Sequence, residues 1–152
     1  MRSIAAISAA LMLGLALPVH AEPAPPVVGR WLSEARDGVI DIYPCGDKLC
    51  GKLVWIKTPF DKDGRPMTDI NNPKPELRSR PRCNLVMLGE FKPTGPNEWG
   101  DGWIYDPGSG KTYDAKMRLD ADGTLKLRGY VGISLFGETQ TWTRADPKQQ
   151  NC

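Results

Sequence analysis

The chain has 152 residues, a formal net charge of +2 and a single histidine, His20. This length fits one domain with its own core, whereas two domains would each be too small. Because the charge is nearly balanced and no basic run or patch with interleaved aromatic residues occurs, the sequence gives no sign of a nucleic-acid-binding protein or of membrane-surface electrostatics.

Residues 1–21 have the composition of a secretory signal peptide. Arg2 lies near the start, an apolar run covers 4–17, and Val19-His20-Ala21 forms a small-residue cleavage site. We therefore expect a single mature domain, residues 22–152, in the periplasm or outside the cell. No cysteine follows the cleavage point, so a lipoprotein is not expected. No later segment has the length and apolar character of a membrane span.

Short alternating segments separated by turn residues fill the mature chain. No stretch shows a helical repeat longer than two turns, so the sequence predicts an all-β protein. The candidate strands are 28–33, 39–43, 49–57, 85–91, 102–105, 112–119, 124–130 and 139–144. Eight strands joined mostly by hairpins predict an antiparallel up-and-down barrel, because closure removes exposed strand edges. A two-sheet sandwich is the alternative, since periodicity does not fix closure.

Four cysteines, Cys45, Cys50, Cys83 and Cys152, predict disulfides in an exported protein, and the sequence alone allows three pairings. A four-residue turn between antiparallel strands would place the Cα atoms of Cys45 and Cys50 about 5.5 Å apart, which suits a disulfide. This pair is favoured over a redox motif or a zinc site, whose spacings differ. Cys83 to Cys152 follows by elimination only.

One connection, residues 58–82, is long and contains five prolines. Long loops of this kind in compact domains are usually functional or disordered. Part of it, residues 61–64, resembles an EF-hand calcium loop, but Pro59 and Ile70 stand where that loop requires Asp and Glu. No metal site is therefore expected. The loop is interpreted either as ordinary turns with a solvated basic edge or as a lid over the mouth of the barrel.

Residues 106–112, with the sequence DPGSGKT, could be part of a phosphate-binding loop or a hairpin turn. A phosphate-binding loop requires a glycine five residues before Gly110 and a helix after it. Tyr105 occupies that first position, and alternating apolar residues at 113–119 indicate a strand instead of a helix. The segment is therefore predicted to be a hairpin turn.

Gly29-Arg30-Trp31 opens the first candidate strand, and Trp142-Thr143-Arg144 ends the last one. This pair of motifs resembles the signature of lipocalins and related calycin barrels. In those proteins a first-strand tryptophan lies across one end of the barrel and a late arginine packs over it. The resemblance implies that Trp31 closes one end and that the Arg144 guanidinium stacks on its indole ring.

The mature chain as a whole resembles domain of unknown function 2147, a family of exported bacterial proteins. The matching motifs, in the family's order, are Gly29-Arg30-Trp31, Ile42-Tyr43-Pro44-Cys45-Gly46 with Cys50-Gly51, Asp69 with Asn72-Pro73, Leu77-Arg78-Ser79-Arg80-Pro81, Trp103-Ile104-Tyr105-Asp106-Pro107 with Gly110-Lys111-Thr112-Tyr113, and Arg128-Gly129-Tyr130-Val131-Gly132 through Phe136-Gly137 to Trp142. The resemblance implies a lipocalin-like barrel of the bacterial envelope, without an established reaction, ligand or cofactor. Cys152 lies outside the matching region.

Our first functional hypothesis is a periplasmic protein that binds a small, partly apolar molecule inside the barrel. The candidate ligand-binding residues are Trp55, Trp103, Tyr105, Tyr113, Arg128 and Tyr130. Alternation along 124–130 places Leu125 and Leu127 on one face and Arg128 on the other, so inward leucines would leave Arg128 in water. The alternative is that the aromatic residues fill a solid core.

The second hypothesis is an interaction or structural module of the envelope that acts through its surface loops without a bound ligand. The apolar segment 131–137 suggests it, because this segment would expose Leu135 and Phe136 at the barrel rim. An enzyme is not predicted, since the mature residues lack histidine and offer no nucleophile with a base and no metal cluster. No cofactor is expected.

Overall fold

The computed structural model describes residues 23–152, which form a closed barrel of eight antiparallel strands in consecutive order. The strands are β1 (Gly29–Leu32), β2 (Gly38–Cys45), β3 (Lys48–Ile56), β4 (Val86–Gly95), β5 (Glu98–Asp106), β6 (Lys111–Leu119), β7 (Leu125–Tyr130) and β8 (Gly137–Arg144). The last strand returns to the first, with Trp31 opposite Arg144. The predicted all-β class and eight-stranded barrel are thus confirmed. The predicted signal peptide, residues 1–21, lies outside the described residues.

Alternation along the strands sends one set of side chains into the barrel and the other into solvent. In β7, Leu125 and Leu127 are buried, whereas Lys126 and Arg128 lie on the outer face, as the sequence pattern predicts. The interior cluster consists of Val27, Trp31, Ile40, Ile42, Leu49, Leu53, Leu88, Phe91, Trp99, Ala115, Met117, Leu125, Leu127 and Trp142. These side chains fill most of the barrel with close-packed apolar groups, which supply its main stabilising energy.

The two ends of the barrel differ in their connections. At one end lie the short turns 46–47, 96–97 and 120–124 together with the chain that enters β1. At the other end lie the turns 33–37, 107–110 and 131–136 and the long connection 57–85, which contains one short 3-10 helix, Pro75–Leu77. We call these the closed end and the open end. The proline-rich connection 57–85, the DPGSGKT turn and the apolar turn 131–136 therefore all lie at the open end.

Two disulfides are present, Cys45–Cys50 and Cys83–Cys152, with Cα separations of 5.8 and 5.0 Å. Both predicted pairs are confirmed. The first joins β2 to β3 at the closed-end turn. The second joins the end of the long connection to the C-terminal tail, residues 145–152.

The tail packs on the outside of β3. The side chain of Asn151 donates to the Ile56 carbonyl at 2.7 Å and accepts from the Ile56 N–H at 3.0 Å, so it mimics a paired strand. Beneath the tail lies a small outer cluster of Leu32, Val39 and Val54, against which Trp55 and Ala145 pack. The tail therefore covers apolar surface that would otherwise face solvent.

Candidate functional site

The closed end is sealed by Trp31, which is fully buried. Its indole Nε1 donates to the Val27 carbonyl at 2.8 Å, and the Arg144 guanidinium lies 3.9 Å from the ring centroid. Arg144 also donates to the Val28 carbonyl at 3.0 Å, which ties the entering chain to β8. This stacking requires glycine at position 29, because the residue there has φ +118° and a Cβ would lie only 2.9 Å from the Arg144 guanidinium.

At the open end the inward-facing side chains leave a cavity of about 440 Å³. It lies within the mouth of the barrel, above the packed interior cluster. Its apolar floor is formed by Ile40, Leu53, Ile56, Met87, Ile104 and Trp142. This end of the barrel is therefore hollow, while the closed end is solid.

A second cavity of about 270 Å³ adjoins the first and shares Ile104, Asp106 and Gln140 with it. Tyr113 and Leu127 line its inner wall. Gln140 lies directly opposite Leu127 and so faces inward, yet it is solvent-exposed. An exposed residue at an inward position shows that the mouth is open to water.

The long connection 57–85 forms one wall of the larger cavity, to which it contributes Met67 and Arg82. Arg82 donates to the Thr68 carbonyl at 2.9 Å and to the Pro107 carbonyl, in the 107–110 turn, at 3.0 Å. Asn71 donates to the Gly108 carbonyl at 2.6 Å. The connection is thus fastened to the 107–110 turn and stands at the side of the mouth.

The turn in the DPGSGKT segment is built to receive this connection. Asp106 accepts from the Gly108 N–H at 2.8 Å and from the Ser109 hydroxyl at 2.6 Å, which closes the turn as the sequence predicts. Gly110 has φ +73°, and a Cβ there would overlap the backbone carbonyl of Asn71. Glycine is therefore required at this position by both the turn and the close approach of the long connection.

Within the long connection, Asp69 is fully buried and holds together a polar cluster. Tyr105 donates its hydroxyl to Asp69 at 2.6 Å, Asn72 donates at 2.8 Å, and Arg80 pairs with it at 2.8 Å. Within residues 23–152 no buried side-chain polar atom lacks a hydrogen-bond partner. A fully satisfied buried cluster of this kind fixes one conformation of the loop.

The hydrogen bonds and the burial in this cluster shift the pKa values of Asp69 and Tyr105. Burial by itself raises the pKa of the Asp69 carboxyl, but hydrogen bonds from Tyr105, Asn72 and Arg80 outweigh it and hold the pKa below its ordinary value. Burial, followed by the hydrogen bond to Asp69, raises the pKa of the Tyr105 hydroxyl. Asp69 is therefore charged at neutral pH and Tyr105 is protonated.

Replacing Asp69 with asparagine should lower the free energy of unfolding by about 1–3 kcal/mol near neutral pH, because Tyr105 and Arg80 lose a charged acceptor. The native pKa of Asp69 is depressed, so its contribution is present above the ordinary Asp pKa of about 4 and is lost as the pH falls through the native value. The difference in the free energy of unfolding between wild type and variant should therefore disappear in acid. Urea unfolding at several pH values measures this difference, and Asp47→Asn, in an exposed turn, is the control. A difference that stayed constant with pH would contradict the prediction.

Both the sequence and the fold are similar to those of known proteins. A family described as "Uncharacterized protein conserved in bacteria (DUF2147)" matches residues 29–144. The chain belongs to the DUF2147 family. Among solved structures, it is similar to protein HP1028 from Helicobacter pylori, which is described as belonging to the lipocalin family. The identity is 22%, the match covers 80% of this chain and 84% of that one, and the TM-score is 0.68.

At that identity the likeness to HP1028 shows the fold alone, a lipocalin-like barrel. No curated protein matches the sequence. Within residues 23–152 of this DUF2147 protein, no helix is long and apolar enough to cross a membrane. In the same residues no group of three or more His, Cys, Asp or Glu side chains is arranged to hold a metal ion.

The predicted ligand-binding residues of this DUF2147 protein fall in different places. Tyr113 lies opposite Ile104 and lines the smaller cavity, and Tyr130 lies at the rim of the same cavity. These two are brought together at the mouth.

The other four predicted residues lie on the outer face of the barrel, although Tyr105 also borders the larger cavity beside the long connection. Trp55 packs in the outer cluster under the tail, and the Trp103 ring lies against the outer side of Gly89. Tyr105 belongs to the buried cluster of the long connection, and Arg128 binds the backbone of the 131–136 turn.

Several residues at the mouth were not singled out from the sequence, namely Met67, Arg82, Met87, Ile104 and Gln140. Alternation counted back from the buried Trp142 would have placed Gln140 on the inner face. For Met67 and Arg82 the sequence carries no comparable signal, because their position depends on how the long connection folds over the barrel end.

Proposed function

We propose that the protein binds a small, partly apolar molecule in the open mouth of its barrel, in the periplasm or outside the cell. The observation that carries this proposal is the hollow open end, with a cavity of about 440 Å³ and an adjoining one of about 270 Å³. An apolar floor with a few polar groups at the rim is the usual composition of small-molecule sites.

Polar groups at the rim would orient the bound molecule. Gln140 accepts from the Trp142 indole at 2.8 Å through its Oε1, which leaves its amide N–H groups to donate. Arg82 and Asp106 add one cation and one carboxylate at the mouth, where the long connection meets the 107–110 turn. A ligand with an apolar body and one or two polar ends fits this arrangement.

The disulfides support the proposed location. Two disulfides close within residues 23–152, and disulfides persist in oxidising compartments such as the bacterial periplasm. The predicted signal peptide supports the same location. The proposed role is binding without catalysis, because the polar groups at the mouth are suited to holding a ligand and no general base pairs with a nucleophile there.

Filling the smaller cavity at the mouth should weaken binding. Gly129 lines the smaller cavity, and a Cβ there meets its neighbours at ordinary contact distances of 3.5 Å or more, so the Cβ of Gly129→Leu fits and the added side chain takes up cavity volume. We expect this variant to bind the apolar dye N-phenyl-1-naphthylamine at least about tenfold more weakly, or about 1.4 kcal/mol, than wild type. Dye fluorescence titration measures it.

Asp114→Leu is the matched control, because Asp114 is exposed on the outer face of the neighbouring strand. It adds a leucine of the same size outside the barrel and should leave dye affinity unchanged. Native mass spectrometry of protein isolated from its own compartment should also show a bound small molecule in wild type and none in Gly129→Leu. Equal dye affinity in all three proteins would refute a ligand site at the mouth.

A second candidate function, an envelope module that acts through its surface, is favoured by one observation. The 131–136 turn exposes four large apolar side chains to solvent. A surface function of this kind would survive in the Gly129→Leu variant, whereas the ligand-binding function would not, so the two are separable.

A further inference from the structure

The 131–136 turn, which joins β7 to β8 at the open end, is held in one conformation. Arg128 donates to the Ser134 carbonyl at 2.7 Å and to the Leu135 carbonyl at 3.2 Å, and also to the Thr139 hydroxyl at 2.9 Å. The Phe136 N–H closes the turn on the Ile133 carbonyl at 3.1 Å. A single guanidinium on the outer face therefore draws the turn back over the outside of the barrel.

This fixed turn presents its apolar side chains to water. Val131, Ile133, Leu135 and Phe136 are 70, 58, 75 and 71% exposed. Scattered single apolar residues on a surface need no explanation, but four within six residues form a patch. Because the backbone is fastened in place, these side chains stay largely exposed at the rim of the barrel.

Cations surround the turn on the outer face of β6 and β7. The register places Lys116 directly opposite Arg128, and Arg118 directly opposite Lys126. Like charges directly across two strands are destabilising, so the fold carries this arrangement at a cost. The linear sequence does not show the cluster, because the four residues alternate with apolar ones on two separate strands.

Most of these cations have no acidic partner. Arg118 pairs with Asp120 at 2.7 Å. Among residues 23–152, no carboxylate lies within 4.0 Å of the charged nitrogens of Lys116, Lys126 or Arg128. Glu98 lies directly opposite Arg118 and, with Asp101, lines the same groove without forming an ion pair with these cations. Next to the apolar turn, Lys116, Lys126 and Arg128 therefore carry positive charges without an ion-pair partner.

The turn also borders the ligand cavity. Val131 and Phe136 line the smaller cavity from its rim, together with the inward-facing Ile104, Tyr113 and Leu127. Gly132, Ile133 and Ser134 border the cationic groove on the other side. One short segment thus separates the mouth of the barrel from the charged outer face.

We propose that the 131–136 turn docks on an anionic lipid bilayer, with its apolar side chains inserted among the acyl chains and Lys116, Lys126 and Arg128 facing the headgroups. Projecting apolar side chains beside unpaired cations are the combination that binds anionic interfaces. This orientation brings the open mouth to the bilayer surface, where an apolar molecule can pass between membrane and barrel.

Flotation with lipid vesicles tests the proposal on the mature protein. One set contains equal parts of phosphatidylglycerol and phosphatidylcholine, and the other contains phosphatidylcholine alone. Wild type should float with the anionic vesicles and bind them at least about tenfold more tightly, an advantage that high salt should screen. Lys116→Gln with Lys126→Gln should weaken this binding roughly 25-fold, at about fivefold per cation.

The apolar contribution is tested separately by Leu135→Ser with Phe136→Ser, which should abolish flotation while Arg128 still holds the backbone. Matched controls are Lys62→Gln with Lys148→Gln for charge and Val86→Ser for an exposed apolar residue on β4, and both should bind as wild type. Gly129→Leu should also bind vesicles normally, so failure of the ligand site and failure of the docking surface are distinguishable.

Three outcomes would overturn the proposal. Wild type could fail to float with anionic vesicles, the paired lysine variant could bind as tightly as wild type, or the serine variant could retain full binding. Reproducible cross-linking of residue 135 to one envelope protein, without vesicle binding, would assign the surface to a protein partner instead.

Discussion

Replacing Trp31 with alanine is expected to lower the free energy of unfolding by about 3–5 kcal/mol, the range for truncating a large buried aromatic side chain. Trp31 is fully buried at the centre of the closed end, where its indole also bonds to the entering chain. Its removal leaves a cavity and deprives Arg144 of the ring on which it stacks. Urea unfolding monitored by circular dichroism measures the loss.

Arg144→Ala provides the comparison, because it removes the stacked cation and keeps the indole. A cation–π contact at a partly exposed site contributes on the order of 1 kcal/mol, so this variant should lose much less than Trp31→Ala. If the two variants were equally destabilised, the arginine would carry the stability of this end. Neither change should alter dye binding, since the closed end lies away from the mouth.

The barrel follows closely from the sequence because its signals are local. Period-two alternation and turn residues depend only on neighbours in the chain, and they predict all eight strands in order. Leu125 and Leu127 illustrate this, since their spacing alone places both on one face of β7, and both are buried in the structure. The place of Trp31 beside Arg144 is also predicted, but from the resemblance of both motifs to the lipocalin signature.

The direction of side chains in β5 is harder to read, because the strand is irregular. The register shifts between Trp99 and Gly102, and Asp101 has φ +55°. Both Trp99 and Gly102 face inward although they are three residues apart, so strict alternation from Trp99 would turn Trp103 and Tyr105 into the barrel. A bulge of one residue therefore moves both aromatic side chains to the outer face.

Contacts between distant segments leave no local signal at all. The sequence predicts the 107–110 turn, but it does not show that the Asn71 backbone contacts Gly110 or that Arg82 donates a hydrogen bond to the Pro107 carbonyl. The cations opposite one another on β6 and β7 are hidden for the same reason. The fold is thus predictable from periodicity, whereas the walls of the mouth and the charged surface require the three-dimensional register.

Removing the Cys83–Cys152 disulfide is expected to have the other large effect. Replacing both cysteines with serine should lower the free energy of unfolding by about 4 kcal/mol, because the bond joins residues 69 apart and restricts the unfolded chain strongly. It should also weaken dye binding, since Cys83 follows Arg82, which forms part of the cavity wall. Urea unfolding and dye titration measure the two effects separately.

The Cys45–Cys50 disulfide is the matched control within the same chain. Its sequence separation is 5, so its replacement by two serines should cost only about 2 kcal/mol by the same loop-closure entropy. It lies at the closed end, and dye affinity should not change. If both double variants weakened dye binding equally, the effect would reflect general loosening of the barrel. A loss confined to the Cys83–Cys152 variant would locate the ligand site at the mouth, against the wall that this disulfide anchors.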